Sequence, residues 1–277
     1  MNLHRLVVLG ARGSHPAPGP AFVDYGGNTS CLALRATDRM IVFDAGTGLA
    51  GLGRRLVAGP ALPRRVDLFL THFHLDHVSG LPSFAPCYRP EFELHVHLAA
   101  SAMETGREAL HSMFTPPLWP TGWEGIRAAV SFHELPERLD LGGVYAVSHA
   151  ALRHPGGATG LRLDGPGRSA VLVTDNEHGE SGPDPALIRL CRDADHVLYD
   201  AQYTPGEYEE HRGWGHSTWE EGVNLAAAAG AKRLWLYHHH PERDDAAMDA
   251  LVAEARRAAP GVDAAREGTV LDLETGR

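Results

Sequence analysis

Between residues 72 and 77 the chain reads His72-Phe73-His74-Leu75-Asp76-His77, so metal-capable side chains alternate with apolar ones over six positions. The run follows Val66–Leu70, an apolar stretch that reads as a β-strand. In extended backbone, residues two apart face the same way, so His72 and His74 present both imidazoles to one point. Asp76 and His77 diverge from that pair and reach a second point nearby. Neutral imidazole and carboxylate suit zinc, with manganese or iron as alternatives. A polar surface turn explains one histidine, but not this density of ligands. The run therefore predicts two divalent metal ions.

The rest of the chain supplies a scaffold for such a site. Strands are expected at Leu6–Leu9, Cys31–Leu34, Met40–Phe43, Val66–Leu70, Leu94–His97, Val144–Ala150, Gly160–Leu163, Ala170–Val173, His196–Tyr199 and Leu234–Tyr237. Helices are expected at Leu49–Val57, Ala99–Met113, Pro185–Arg192, Thr218–Ala229 and Asp244–Ala258, with Asp184 and Ser217 or Thr218 as starts. Phe114–Glu124, rich in Pro and Trp, reads as a long loop. Strands cluster first and later alternate with helices, which fits a sheet-rich α/β core covered by helices. No linker or repeat divides the 277 residues, so one domain over 1–277 is expected.

Composition narrows the classes. Nothing approaches an apolar run long enough for a membrane helix, and the start of the chain reads as a strand rather than a secretion signal. A cytoplasmic protein without a membrane partner is expected. Cys31, Cys87 and Cys191 form no paired motif. The net charge is -10, whereas nucleic-acid binders usually carry a basic surface. A small phosphodiester substrate, and no large nucleic acid, is the resulting expectation.

The run His72-x-His74-x-Asp76-His77 after a strand resembles the signature of the metallo-β-lactamase superfamily. Asp44-Ala45-Gly46-Thr47-Gly48 resembles the element that precedes it there. The resemblance spans nearly the whole chain and implies a four-layer αββα sandwich with metals at one edge of two facing sheets. It also implies where the remaining ligands lie. Arg153-His154-Pro155 resembles the third-histidine element, so His154 joins His72 and His74, with His149 as the rival. Asp175, ending Val171–Thr174, takes the place of a bridging carboxylate, which holds two cations about 3.5–4 Å apart. His238 in Tyr237-His238-His239-His240-Pro241 takes the last position, with His239 left as the alternative. Asp76, His77 and His238 would then hold the second ion, and the ions would share a solvent molecule.

Two further segments resemble the ribonuclease Z branch. Leu198-Tyr199-Asp200-Ala201-Gln202 stands where that branch has His-Glu-Ala-Thr, and Gly215-His216-Ser217-Thr218 matches its His-Ser-Thr motif. Asp200 and His216 would form a pair that serves the departing oxygen, and with Asp76 they are the expected catalytic residues. No long basic insertion corresponds to the arm with which that branch clamps transfer RNA. Gly10–Ser14 and Tyr25–Ser30 instead resemble a bacterial group related to cyclic-nucleotide and phosphoribosyl-cyclic phosphodiesterases. On that resemblance Asn28, Ser30 and Arg12 line a phosphate pocket, although turn roles explain them equally. Trp119 and Trp123 either stack a base or pack against the surface.

The leading expectation is a two-metal phosphodiesterase for a small phosphodiester or cyclic nucleotide. The alternatives are a lactone, lactam or thioester hydrolase on the same metals, and a non-catalytic metal-binding module. A homodimer is expected by analogy.

Overall fold

The inner strands are apolar at consecutive positions because both of their faces are covered. Leu32 and Leu34 face one core cluster, while Cys31 and Ala33 face another. Ile41 and Phe43 alternate in the same way with Met40 and Val42. Later in the chain Ala170 and Leu172 alternate with Val171 and Val173, and Trp235 and Tyr237 with Leu234 and Leu236. The shared cluster lies between two sheets. The other two lie under helices on the outer faces.

The computed structural model describes residues 2–274; Met1 and residues 275–277 of the expected single domain lie outside the described residues. The strands of the first sheet are β1 (Arg5–Gly10), β2 (Cys31–Arg35), β3 (Arg39–Phe43), β4 (Arg65–Phe69), β5 (Glu93–Leu98) and β6 (Ala129–Glu134). Those of the second are β7 (Arg138–Leu141), β8 (Tyr145–Leu152), β9 (Ala158–Asp164), β10 (Ser169–Val173), β11 (His196–Asp200), β12 (Leu234–Tyr237) and β13 (Val262–Ala264). A last strand, β14 (Val270–Asp272), returns to the first sheet. The sheet orders are β14-β1-β2-β3-β4-β5-β6 and β13-β12-β11-β10-β9-β8-β7. Helices α1 (Leu49–Ala58), α2 (Leu75–Val78) and α3 (Met103–Met113) precede β6, and α4 (Pro185–Cys191), α5 (Pro205–Tyr208), α6 (Trp219–Ala229) and α7 (Asp245–Ala258) follow β10. Leu49, Leu52 and Leu110 cover the first sheet; Leu187, Leu225 and Leu251 cover the second. The expected αββα sandwich is thus the observed one.

Four strands, β6, β7, β13 and β14, form where no apolar run predicts one. They are the four sheet edges. An edge strand has one neighbour and more solvent, so it needs no long apolar run; β6 has no fully buried residue at all. Among the described residues, no helix is long and apolar enough to cross a membrane.

One buried charge stands apart from the site. Asp67 of β4 accepts hydrogen bonds from Arg65 Nε and Nη2 (2.9 Å each) and from His97 Nε2 (2.9 Å), with Arg39 at 3.5 Å. Burial raises its carboxyl pKa, but His97 and Arg65 outweigh burial and hold it well below the usual carboxylate range. A lowered folded-state pKa stabilises the protein above the unfolded carboxyl value and is lost as pH falls through the lowered one. Asp67→Asn should therefore cost about 3 kcal/mol near neutral pH in urea unfolding, the lower end for breaking a buried ion pair because Arg65 stays partly hydrated. The gap from wild type should narrow in acid. A gap independent of pH would mean that the charge is not its source.

Candidate metal centre

Strand direction gathers the candidate ligands. β3 and β4 run parallel, as do β10, β11 and β12. Residues just past the carboxyl ends of parallel strands collect at one sheet edge. Asp44 follows β3, His72–His77 follow β4, Asp175 follows β10, and His238 follows β12, while Asp200 ends β11. β9 is antiparallel to β10, so the β8–β9 turn carrying His154 reaches the same edge. Asp44, Asp175 and His238 all have left-handed backbone (φ 57, 55 and 58). Such residues cost roughly 1–3 kcal/mol each and cluster at functional sites. Here the sharp turn follows the strand and swings each side chain into the cleft.

One group of donor atoms, on Asp76, His77 and His238, forms a tight triangle with Asp175 beside it. His77 Nε2 lies 3.2 Å from Asp76 Oδ2, 3.1 Å from Asp175 Oδ2 and 3.3 Å from His238 Nε2. His238 Nε2 lies 3.1 Å from Asp76 Oδ2 and 3.3 Å from Asp175 Oδ2. The corners of a triangle with edges of ~3.2 Å lie ~1.85 Å from its centre, so an ion slightly out of its plane can reach all three at the ~2.0 Å of zinc–nitrogen and zinc–oxygen bonds. The second group is looser. His154 Nε2 lies 3.0 Å from His74 Nδ1, and Asp175 Oδ1 lies 3.6 Å from His72 Nε2 and 3.7 Å from His154 Nε2. His72 Nε2 is buried without a hydrogen-bond partner, a state that a metal bond would explain. Asp175 thus turns one oxygen to each group.

The electrostatics point the same way. Burial opposes the charging of Asp76 and Asp175, but neighbouring histidines outweigh it and hold both carboxyls far below the usual range. Burial likewise opposes protonation of His77, yet Asp175, Asp76 and Asp44 push its pKa well up. Against the same burial, Asp175 and Asp76 carry His238 up to about 9. Burial, then the charge of His77, lowers His72. These buried anions draw positive charge into the cleft, as protons on imidazole or as cations.

Outer contacts aim the donors. Asp44 Oδ2 accepts from His77 Nδ1 (2.8 Å), which turns Nε2 toward the cluster. Thr71 N–H donates to Asp44 Oδ1 and Ser30 Oγ–H to Oδ2, both at 2.9 Å. The Ser14 N–H donates to Asp76 Oδ2 (2.8 Å). His154 Nδ1 donates to the Gly215 carbonyl (2.9 Å), and a Cβ at Gly215 would run into His154 and Pro155. Asp44→Ala should weaken the second ion by ~10- to 100-fold, read in a competition titration with a chelator. Unchanged affinity would remove Asp44 from this role.

The expected carboxylate–histidine pair forms. His216 Nδ1 lies 2.8 Å from Asp200 Oδ2, and its ring stacks 5.0 Å from that of His238. With Nδ1 engaged, Nε2 is the free nitrogen. Asp200 also accepts from the Gln202 N–H (3.1 Å), so the carboxylate is fixed. Thr218, rather than Ser217, caps α6, accepting from Glu221 N–H. Ser217 Oγ instead meets the Tyr199 hydroxyl (3.0 Å) and His178 Nδ1 (2.9 Å).

Several expected positions are reassigned. His239 Nε2 donates to the Ala265 carbonyl (2.7 Å), away from the cluster, and burial lowers its pKa to about 3. His149 lies within β8 and joins neither group. Asn28 is not free for substrate: it donates to Glu267 through N–H (2.7 Å) and Nδ2 (2.9 Å) and accepts from Thr47 (3.0 Å). Ser30 is fully buried on Asp44. Arg12 is fully buried too and ties Gly26 to Arg243 through their carbonyls (2.8 and 2.6 Å). Trp119 and Trp123 pack against the cluster of Leu110 and Phe114, and Trp123 stacks on His111 at 3.9 Å. Most of the loop stays exposed, but its two indoles are partly buried on this helix-covered face, where burial of apolar surface is favourable. Glu177 and Trp214, which belong to none of the motifs above, also stand beside His216; Gly213-Trp214-Gly215 directly precedes it in the chain, and Glu177 bonds both glycines.

The Beta-lactamase superfamily domain matches residues 39–239. A ribonuclease Z from Myxococcus xanthus is 27% identical over 99% of both chains. A ribonuclease BN from Cronobacter sakazakii is 24% identical, covering 82% of this chain and 87% of that one. Among solved structures, human tRNase Z, short form, superposes with a TM-score of 0.67 at 18% identity, over 98% of this chain and 100% of that one. A diphosphatase of the PhnP family gives a TM-score of 0.67 at 20% identity over 98% of each chain. These relatives bear out the expectation of a hydrolase. They correct the expectation that a large nucleic acid is excluded, since the matching relatives are named as ribonucleases. Net charge sums the whole surface, whereas phosphate contact is decided by the groups at the cleft. The chain belongs to the metallo-β-lactamase superfamily, on its ribonuclease Z-like branch.

Proposed function

We propose that the chain hydrolyses phosphodiesters of nucleotides, RNA among them, with two divalent ions. His72, His74 and His154 hold one ion, and Asp76, His77 and His238 the other, with Asp175 between. Zinc suits the mixed nitrogen and oxygen donors and the ~3.2 Å spacing of the Asp76, His77 and His238 atoms. When bound, the ions supply Lewis acidity to phosphoryl oxygens and lower the pKa of water.

The observation that carries the reading is the His216–Asp200 pair at 2.8 Å beside both donor groups. Hydrolysis adds a water oxygen to phosphorus and breaks the bond to the leaving oxygen, which must gain a proton. His216, held at Nδ1 by Asp200, delivers that proton from Nε2. Asp175 fixes the spacing of the two donor groups, and Asp44 fixes His77. The names of the ribonuclease relatives support a nucleotide substrate.

The test is elemental analysis of the purified chain followed by a hydrolysis panel. The panel holds aryl phosphodiesters, cyclic nucleotides, a transfer RNA precursor with a 3′ extension, lactones and β-lactams. Two ions per chain and turnover of phosphodiesters are expected. Turnover of lactones or β-lactams alone would overturn the reading in favour of carbonyl chemistry.

A further inference from the structure

Two of the most exposed apolar side chains stand at the mouth of the donor cleft. Leu75 is 70% exposed between His74 and Asp76, and Trp214 is 62% exposed two residues before His216. The contacts His74–His154 and His154–Gly215 bring these two stretches to the same mouth. Trp119 and Trp123 are partly buried, and Trp219 and Trp235 are buried. Trp214 alone offers a large indole surface to solvent.

Trp214 is not on a slack loop. The Glu177 carboxylate accepts from Gly213 N–H (2.7 Å), Gly215 N–H (3.0 Å) and the Tyr208 hydroxyl (2.8 Å). The Trp214 N–H donates to the His211 carbonyl (3.0 Å). A series of rings leads inward from the indole. His211 meets it edge-on at 5.0 Å and stacks on Tyr203 at 4.3 Å, and Tyr203 meets His216 edge-on at 6.0 Å. The indole is therefore held in place before any ligand arrives, which lowers the ordering cost of binding. One residue, Gly215, lies between Trp214 and His216, so their Cα atoms are at most ~7 Å apart. That is comparable to the span from phosphate to base within one nucleotide.

We propose that Trp214 is the platform on which a nucleobase of the substrate stacks while its phosphate lies at the donor groups. Leu75 adds apolar surface at the same mouth. The proposal rests on the phosphodiester reading for the position of the phosphate. Stacking tolerates every base, because every base has a π-face, so it sets a preference for nucleotides without reading their sequence.

The test uses the full chain loaded with zinc and two probes, adenosine 5′-monophosphate and inorganic phosphate. Dissociation constants are measured by calorimetry for the wild type, Trp214→Ala and Trp214→Phe. Trp214→Ala should weaken the nucleotide by ~10-fold, a moderate stacking contribution, with phosphate binding as in wild type. Trp214→Phe should restore most of the loss. In the wild type, indole emission should be quenched saturably by the nucleotide and not by phosphate, a measurement that needs no variant to fold. Equal weakening of both probes, no weakening of either, or unquenched emission with nucleotide bound would overturn the proposal. So would a dimer that Trp214→Ala dissociates, because the indole would then belong to a contact between copies. Turnover of a simple aryl phosphodiester is scored separately. Turnover without the split between probes keeps the reaction and loses the platform; the split without turnover does the reverse.

Discussion

Asp175→Asn is expected to reduce the metal content of the purified chain from two ions to one or none and to lower kcat/KM for an aryl phosphodiester by ~10³-fold. Asp175 gives one oxygen to each donor group, Oδ1 at 3.6 Å from His72 Nε2 and Oδ2 at 3.1 Å from His77 Nε2. The amide removes the negative charge and replaces one oxygen with a group that cannot bind a cation. Asparagine tolerates left-handed backbone about as well as aspartate, so φ 55 is kept and the charge is tested by itself. A metal ion contributes several kcal/mol of charge stabilisation, and about 4 kcal/mol corresponds to the expected loss. Elemental analysis after dialysis and steady-state kinetics check the two halves separately. Two retained ions with near-normal turnover would sink the bridging role.

The second large effect concerns proton delivery. His216→Ala should lower kcat by ~10²- to 10⁴-fold on substrates with an alkoxide leaving group. With 4-nitrophenolate, which departs without help, the loss should be far smaller. Metal content should not change, because His216 is tied to Asp200 and the two proposed ion positions are complete without it. Asp200→Asn should act in the same direction, since the amide removes the charge that favours a protonated His216 and cannot accept at both ends as the carboxylate does. Equal losses across leaving groups would mean that His216 serves the structure. No loss at all would favour carbonyl hydrolysis, which needs no such donor.

How much of this was legible depended on how locally each feature is decided. The inner strands were readable because burial on both faces demands apolar residues at successive positions, as in Val171-Leu172-Val173. The edge strands β6, β7, β13 and β14 were not, because their pairing comes from the neighbouring strand more than from their own side chains. The motif His72–His77 announced a metal site because ligand spacing on a strand and turn is a local property. The choice of His238 over His239 was different. It depended on a left-handed residue after β12 and on a carbonyl at Ala265 that captures the other ring.

The same division runs through the rest of the site. Trp119 and Trp123 looked available in the sequence, yet a neighbouring apolar face absorbs them. Trp214 belongs to none of the sequence motifs, yet Glu177 pins its loop at the cleft. By itself the sequence determined the ligand types, their local spacing, the α/β layering and the family. The tertiary structure decided which distant side chains meet, which polar groups are already satisfied and which rings stay exposed. Contacts between residues far apart in the chain are set by packing and strand order, and no local pattern encodes them.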